Sequence, residues 1–248
     1  MRRFIALLLL ALLAAAIAGC FNPFDPRISV ERVVSSPAPT PSSPAAAVKL
    51  FAWCWKNRDP ARYTEVFTDD YRFIFGSGDS AGNPYRDRPW VREDEMNMAL
   101  HMFTGGADVP PASDVFISID PVLNAVVDPR PGHSFKCHRT ITTTVDLKVT
   151  VTDASGTPSV TPIGGRALFY LVRGDSALIP SELIAKGFKP DSTRWWIERW
   201  EDQTVGANGA AARPAGGPGA LRAAAGAAAR TNSFTIGRLK LLYRPGRD

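Results

Sequence analysis

The clearest pattern of apolar and polar residues in the chain is a near-strict alternation between Ile141 and Val151. The apolar positions are Ile141, Val145, Leu147, Val149 and Val151, and the polar positions between them are Thr142, Thr144, Asp146, Lys148 and Thr150. Alternation with a period of two predicts an antiparallel strand that buries one face and exposes the other to water.

Shorter stretches rich in β-branched and aromatic residues predict further strands. They cover residues 71–75, Val115–Ile119, Ala167–Val172, Arg194–Glu201 and Ser233–Tyr243. In the segment Arg194–Glu201, alternation predicts that Trp196, Glu198 and Trp200 share one face, while Trp195, Ile197 and Arg199 share the other. Tryptophans are therefore expected on both faces of this strand, as part of the core or as the lining of a pocket or exposed patch.

Helical periodicity dominates the residues before these strands. Ser43-Pro44 predicts a helix start, and the helix should end before Asp59-Pro60 because the residue before proline disfavours the helical conformation. Its apolar face carries Ala47, Val48, Phe51, Cys54 and Trp55. A short helix over 61–67 and another over 91–104 follow. Helices followed by strands predict an α+β domain, with N-terminal helices packed on one face of an antiparallel sheet.

The first twenty residues differ from the rest of the chain. Arg2 and Arg3 precede an apolar run from Phe4 to Ile17, which is shorter than the roughly 20 residues that a membrane-spanning helix needs. The sequence Ile17-Ala18-Gly19-Cys20 then resembles the lipobox of bacterial lipoproteins. The resemblance implies a signal peptide over 1–19, cleavage between Gly19 and Cys20, and a diacylglycerol on Cys20. An ordinary secreted protein or a bent membrane anchor are the alternatives.

Lipidation would place the protein on a bilayer of the bacterial cell envelope through Cys20. Because Phe21 carries no inner-membrane retention signal under the sorting rule of enteric bacteria, the outer membrane is favoured. Residues 20–43 are rich in proline, serine and alanine, and we predict a flexible tether with a reach of about 70 Å.

Composition restricts the partners. The 248-residue chain has a formal net charge of +5, and removal of residues 1–19 takes away two arginines to leave +3. The basic residues are scattered, so no nucleic-acid partner is predicted. Besides Cys20 only Cys54 and Cys137 are present, and they either form a disulfide or remain free thiols. Residues 204–231 are mostly alanine, glycine and proline, which predicts a flexible insertion before a final strand and tail at 232–248.

The order of elements suggests a family for residues 44–203. Trp53 and Trp55 are followed by Asn57-Arg58-Asp59, and Phe67-Thr68-Asp69-Asp70-Tyr71-Arg72-Phe73 leads into a strand. This layout resembles the nuclear transport factor two-like superfamily, whose SnoaL-like and ketosteroid isomerase-like members have a cystatin-like fold. The resemblance implies a strongly curved, cone-shaped sheet around the helices, with an apolar pocket at its open end. Members include both enzymes and non-catalytic binding modules.

Few residues of this domain are candidates for catalysis or ligand binding. The residues that could act as acid, base or donor are Asp69, Asp70, His101, His138, Asp146 and Tyr170, and each is better explained as a turn, surface or packing residue. No catalytic residue is therefore assigned. Side chains that could line the pocket are Trp53, Phe73, Phe75, His138, Tyr170, Trp196 and Trp200. Because His101, His133 and His138 lack metal-ligand spacing, no metal and no cofactor is predicted.

We therefore predict a lipid-anchored envelope protein whose domain binds or scaffolds and catalyses no reaction. Its partner would be a small apolar ligand or another envelope protein. One alternative is an isomerase or lyase that acts in the apolar pocket. Another is a structural subunit of an envelope assembly.

Overall fold

A computed structural model describes residues 36–106, 109–206 and 234–245. The predicted signal peptide, Cys20, most of the tether and nearly all of the insertion lie outside the described residues. Within the described part of the chain, no helix has the length and apolar character needed to cross a membrane.

Five α-helices and one 3₁₀ helix are described. The α-helices are α1 (Pro44–Asn57), α2 (Pro60–Thr64), α3 (Arg92–Thr104), α4 (Ser181–Ala185) and α5 (Ile236–Leu242), and the 3₁₀ helix is Ser80–Tyr85. Helix α1 begins as predicted, because the Ser43 hydroxyl accepts a hydrogen bond from the backbone N–H of Ala46 and Pro44 occupies the first helical position.

Seven strands form one sheet in the order β2-β1-β7-β6-β5-β3, and β4 also pairs with β5. The strands are β1 (Phe67–Ile74), β2 (Trp90–Val91), β3 (Ala112–Ile119), β4 (Ala125–Val127), β5 (His138–Thr152), β6 (Pro158–Arg173) and β7 (Trp195–Gly206). The β1–β7 pair is parallel and the other pairs are antiparallel. The predicted α+β class with a curled, antiparallel-rich sheet is confirmed.

The inner face of the sheet holds an aromatic core against α1. Phe51 packs with its ring centroid 5.2 Å from that of Phe169 and 4.9 Å from that of Trp200, and Trp55 lies 6.3 Å from Trp200. These rings meet edge to face, the arrangement that aromatic quadrupoles favour. The alternation predicted for β5 is also confirmed, since its apolar positions face this core and Asp146 lies in water.

A β-bulge interrupts β7. Ile197 pairs with Leu171 on β6, but Tyr170, the preceding residue of β6, pairs with Arg199. Glu198 is therefore an extra residue in β7, and the alternation of faces is broken there.

The bulge makes one prediction wrong. Trp196 and Trp200 were expected on the same face, but Trp200 lies in the main core while Trp196 packs with Val172 and Leu183 in a separate cluster on the other face. All six tryptophans are buried or half-buried, so the tryptophans contribute to cores and form no exposed patch.

The predicted final strand at 233–243 is also wrong, because this segment contains helix α5. The Thr235 hydroxyl accepts from the backbone N–H of Arg238 and caps the helix. The buried residues then follow helical spacing, at Ile236, Leu239, Lys240 and Tyr243. The apolar residues in this segment fit both a strand and a helix. The helix forms because Thr235 caps its N-terminus and its buried face packs against the core.

Two predicted boundaries shift as well. The tether was expected to reach residue 43, but Pro41 is buried and its carbonyl accepts from the backbone N–H of Trp195 at 2.8 Å. Ala38 already packs against the core. Strand β7 continues to Gly206, so the insertion begins later than residue 204.

Candidate functional site

A buried ion pair lies in the interior of the domain. Glu95 of α3 and Lys240 of α5 are both fully buried, and the Lys240 ammonium donates to Glu95 Oε1. The Tyr63 hydroxyl donates to the same oxygen at 2.6 Å, and the Trp90 indole N–H donates to Oε2 at 2.9 Å. The carboxylate therefore accepts from three donors, all from buried side chains.

Aromatic rings surround the ammonium group of this pair. The Lys240 Nζ atom lies 4.3 Å from the ring centroid of Trp200 and 4.5 Å from that of Phe73. Both distances are within the range of cation–π attraction. Burial lowers the pKa of Lys240, and the charge of Glu95 opposes that shift.

The same burial keeps the donor of the carboxylate protonated. Burial, reinforced by the charge of Glu95, raises the pKa of Tyr63 well above its ordinary value. A buried carboxylate beside a phenol is the kind of group that acid–base chemistry uses. Here, however, Lys240 is paired with Glu95, and both side chains are fully buried beside aromatic rings.

A separate cleft of about 460 Å³ lies at the rim of the domain, next to Phe75. Its lining includes Asp79, which accepts from the hydroxyl of Thr235 and from Nε of Arg238 at 3.4 Å. Asp202 also lines it, and burial raises the pKa of that carboxyl group against the opposing effect of its hydrogen bonds. Polar and charged groups thus form a large part of the lining of this cleft.

A third group of side chains lies on the opposite, outer face of the sheet. We call this set the outer-face cluster; it consists of Arg130, His133, His138, Tyr170 and Glu198. One Glu198 oxygen, Oε1, lies 3.1 Å from a guanidinium nitrogen of Arg130 and 3.5 Å from Nε2 of His133. The rings of His133 and His138 meet edge to face, with centroids 4.7 Å apart.

Arg130 is fixed in this cluster by Asp128. Its guanidinium donates to both oxygens of Asp128, at 2.7 to 3.1 Å, and lies 4.2 Å from the ring centroid of Tyr170. Burial acts to raise the pKa of Asp128, but the hydrogen bonds from Arg130 outweigh it and hold that pKa below its ordinary value. The charges of Arg130 and Asp128 therefore largely compensate each other.

The prediction of no metal ligands rested on the spacing of the histidines and did not consider this group of side chains. One nitrogen from each of His133 and His138 and one carboxylate oxygen of Glu198 lie within 4.8 Å of one another. Two of these residues are separated from the third by about 60 positions in the chain. Spacing between histidines alone could not reveal a group that the pairing of β5, β6 and β7 brings together.

The predicted pocket does not form as one site. Phe73 and Trp200 lie in the main core, Trp53 packs at its edge, Phe75 lines the rim cleft, Trp196 belongs to the second core cluster, and His138 and Tyr170 lie in the outer-face cluster. The strand positions were largely right, but the bulge and the curvature of the sheet distribute these side chains over two faces.

The other acid–base candidates do not meet. Asp69 and Asp70 are exposed within β1, where a turn or cap role was expected, and Asp146 is exposed on β5. His101 is half-buried on α3. None of the four lies in the interior of the domain.

Cys54 and Cys137 are both free thiols, so the disulfide alternative is not realised. Cys54 projects from α1 into the core, where burial raises the pKa of its thiol to about 12. Cys137 is half-buried and precedes β5.

Sequence reasoning missed four interior residues, namely Tyr63, Trp90, Glu95 and Lys240. One signal was available, because Glu95 is spaced three and seven residues from Met98 and Met102 and so lies on the buried face of α3. A charged residue on an apolar helical face indicates a buried partner.

Comparison with known proteins finds similarity in structure only. No protein-family model and no curated protein sequence matches the chain. A conserved protein from Planctomyces limnophilus aligns with 15% identity and a TM-score of 0.41, over 65% of this chain and 92% of that one. A ketosteroid isomerase-like protein from Erwinia carotovora atroseptica aligns with 13% identity and a TM-score of 0.37, over 63% of this chain and 89% of the other.

Proposed function

We propose that the chain is a lipid-anchored protein of the bacterial cell envelope, carrying a nuclear transport factor two-like domain that binds or scaffolds a partner and catalyses no reaction. The filled interior supports the proposal that the domain catalyses no reaction. Where an enzyme of this fold would need a reachable acid or base, Lys240 is paired with Glu95 and aromatic rings enclose both.

The outer surface supports a role in binding a protein partner. Large apolar side chains are exposed beside the outer-face cluster, at Val126 and Val127 of β4 and at Phe135 in the loop before β5. Exposed apolar groups next to charged ones are typical of surfaces that contact other proteins. We infer an envelope protein as the partner on this side of the sheet.

The lipobox supports the anchor. Because Ala38 packs on the domain and Pro41 is buried, the predicted tether from Cys20 is shorter than the range 20–43. At about 3.1 Å per residue, the roughly 17 residues before this point correspond to a reach of about 50 Å. That distance would hold the domain close to its membrane, with the outer membrane favoured.

The anchor is tested by metabolic labelling with a tagged fatty acid. Cells expressing the natural chain should show a labelled band that co-sediments with membranes, and Cys20→Ala should remove both the label and the sedimentation. Cys137→Ala, which removes a cysteine outside the lipobox, is the matched control and should keep both. Equal labelling of Cys20→Ala would refute the anchor.

The filled interior is tested by titrating the purified protein with an apolar aromatic ligand such as a naphthol or a steroid. Trp55, Trp90 and Trp200 line the interior, so a ligand that entered would quench tryptophan fluorescence with saturation. We expect no saturable quenching.

The enzyme alternative is favoured by one observation, the buried Glu95 with its phenol and indole donors. It requires Lys240 to leave the carboxylate when substrate binds. Saturable quenching that Glu95→Gln abolishes would support that alternative and overturn the non-catalytic proposal.

A further inference from the structure

We propose that the outer-face cluster contains a binding site for a divalent transition-metal ion, with Zn²⁺ as the best fit, and that His133, His138 and Glu198 are its ligands. Two imidazoles and one carboxylate form a ligand set that zinc commonly uses, and it leaves a fourth position open. The site is independent of the lipid anchor and of the filled interior.

The distances between the three side chains fit such an ion after a small adjustment. A tetrahedral zinc ion with bonds of about 2.0–2.2 Å places its ligand atoms about 3.4 Å apart. His133 Nε2 and Glu198 Oε1 are already 3.5 Å apart, and all three ligand atoms lie within 4.8 Å of one another. Rotations of half-buried side chains suffice to close the remaining gap.

Both histidines are oriented for ligation. His133 Nδ1 lies 3.2 Å from the backbone oxygen of Pro131, and His138 Nδ1 lies 3.3 Å from that of Ser134. A carbonyl oxygen only accepts, so each Nδ1 carries the proton of the ring. With Nδ1 as the donor, the neutral form of each ring has its lone pair on Nε2, and metal sites whose histidines bond to backbone carbonyls select the same tautomer.

This orientation leaves a requirement for positive charge. In the neutral tautomer the lone pair of His133 Nε2 faces an oxygen of Glu198 at 3.5 Å, which is repulsive unless a proton on Nε2 or a metal cation lies between them. The second oxygen, Glu198 Oε2, is buried, and among the described residues no donor reaches it. A metal ion meets both needs at once.

Arg130 does not block the site. Its guanidinium contacts Oε1 of Glu198 at 3.1 Å, but it also donates hydrogen bonds to both carboxylate oxygens of Asp128. Asp128 therefore fixes its position and compensates its charge. The second lone pair of Oε1, the Oε2 atom and the Nε2 lone pairs of the two histidines remain for the metal.

The test measures Zn²⁺ binding to the full-length chain, purified in mild detergent and stripped with a chelator, by isothermal titration calorimetry. We expect one Zn²⁺ per chain with a Kd on the order of micromolar, and a loss of affinity of at least about 100-fold in His138→Ala and in Glu198→Gln. His101→Ala removes a histidine outside the cluster, and Cys137→Ser removes the neighbouring thiol; both should bind as the natural chain does.

Spectroscopy with Co²⁺ in place of Zn²⁺ identifies the ligands independently. Nitrogen and oxygen ligation predicts visible d–d absorption without a thiolate charge-transfer band, and the absorption should disappear in His133→Ala. Far-ultraviolet circular dichroism should be unchanged in every variant, because the cluster lies outside the main core.

Three results would overturn the proposal. They are an absence of saturable Zn²⁺ binding up to about 100 µM, unchanged affinity in His138→Ala and Glu198→Gln, and loss of binding in Cys137→Ser. In the first case the contact between His133 and Glu198 is an ion pair with a protonated imidazole.

Discussion

Removal of the buried lysine is expected to destabilise the domain more than most single substitutions. In Lys240→Met the side chain keeps a similar length and apolar stem, but Glu95 becomes a buried carboxylate without a counter-charge. Its remaining donors, Tyr63 and Trp90, are neutral. Breaking a buried pair by removing one partner typically costs about 3–5 kcal/mol in the free energy of unfolding.

Part of that cost should be recovered by a second change. In Glu95→Gln/Lys240→Met no charge remains in the interior, and the glutamine oxygen still accepts from Tyr63. We expect the double variant to lose only about 1–2 kcal/mol, the scale of one weakened buried hydrogen bond. The two substitutions should therefore be strongly non-additive, as expected for residues in direct contact.

Urea unfolding of the full-length protein, followed by tryptophan fluorescence, measures these differences. For an m value of about 2 kcal/mol per molar, Lys240→Met should lower the midpoint by about 1.5–2.5 M. Lys186→Met, at an exposed lysine, is the matched control and should change stability by less than about 0.5 kcal/mol. A loss below about 1 kcal/mol in Lys240→Met, or a double variant as unstable as the sum of the single ones, would refute the reasoning.

Three further predictions follow from local geometry. Ser43→Ala removes the cap of α1 and should cost about 1 kcal/mol by urea unfolding, whereas Ser42→Ala, one residue earlier and exposed, should cost almost nothing; equal losses would contradict the cap. With the pKa of its thiol raised to about 12, Cys54 should resist alkylation at pH 8 in the folded chain while Cys137 reacts, as peptide mass spectrometry would show; alkylation of Cys54 at the same rate would be the contrary result. Burial raises the pKa of Asp202 above its ordinary 3.8, so the folded chain binds this proton more tightly than the unfolded chain does. Its contribution to stability is therefore full below pH 3.8 and is lost as the pH rises through the folded-state pKa. Urea midpoints at several pH values compare the natural chain with Asp202→Asn. The stability of the natural chain relative to this variant should fall above pH 4, and a rise would contradict the sign of the pKa shift.

Elements whose determinants are local could be predicted from the sequence. Helix α1 follows from Ser43-Pro44 and its apolar face, and β5 follows from alternation over eleven residues. In both cases the residues that determine the structure lie within the element or directly beside it. Tertiary packing then stabilises the same structure that the local pattern already favours.

Features that depend on distant residues could not be predicted in the same way. Glu95 and Lys240 are 145 positions apart, and although the spacing of Glu95 from Met98 and Met102 indicates burial, nothing in the sequence identifies Lys240 as its partner. In α5 the apolar residues fit both a helix and a strand, and contact with the core selects the helix. Composition and periodicity do not indicate which distant residues contact each other.

The bulge in β7 connects the interior and the outer-face cluster. In a regular strand, residues 196, 198 and 200 would share one face, so Trp200 in the core would require Glu198 to be buried there as well. The extra residue lets Trp200 lie 4.3 Å from the ammonium of Lys240 while Glu198 remains beside His133 on the other face. Bulges typically re-aim a side chain, and the one at Glu198 places this carboxylate beside His133 on the outer face. The interior also requires the bulge, because Ile197 and Trp200 both lie in the main core and a regular strand would place them on opposite faces.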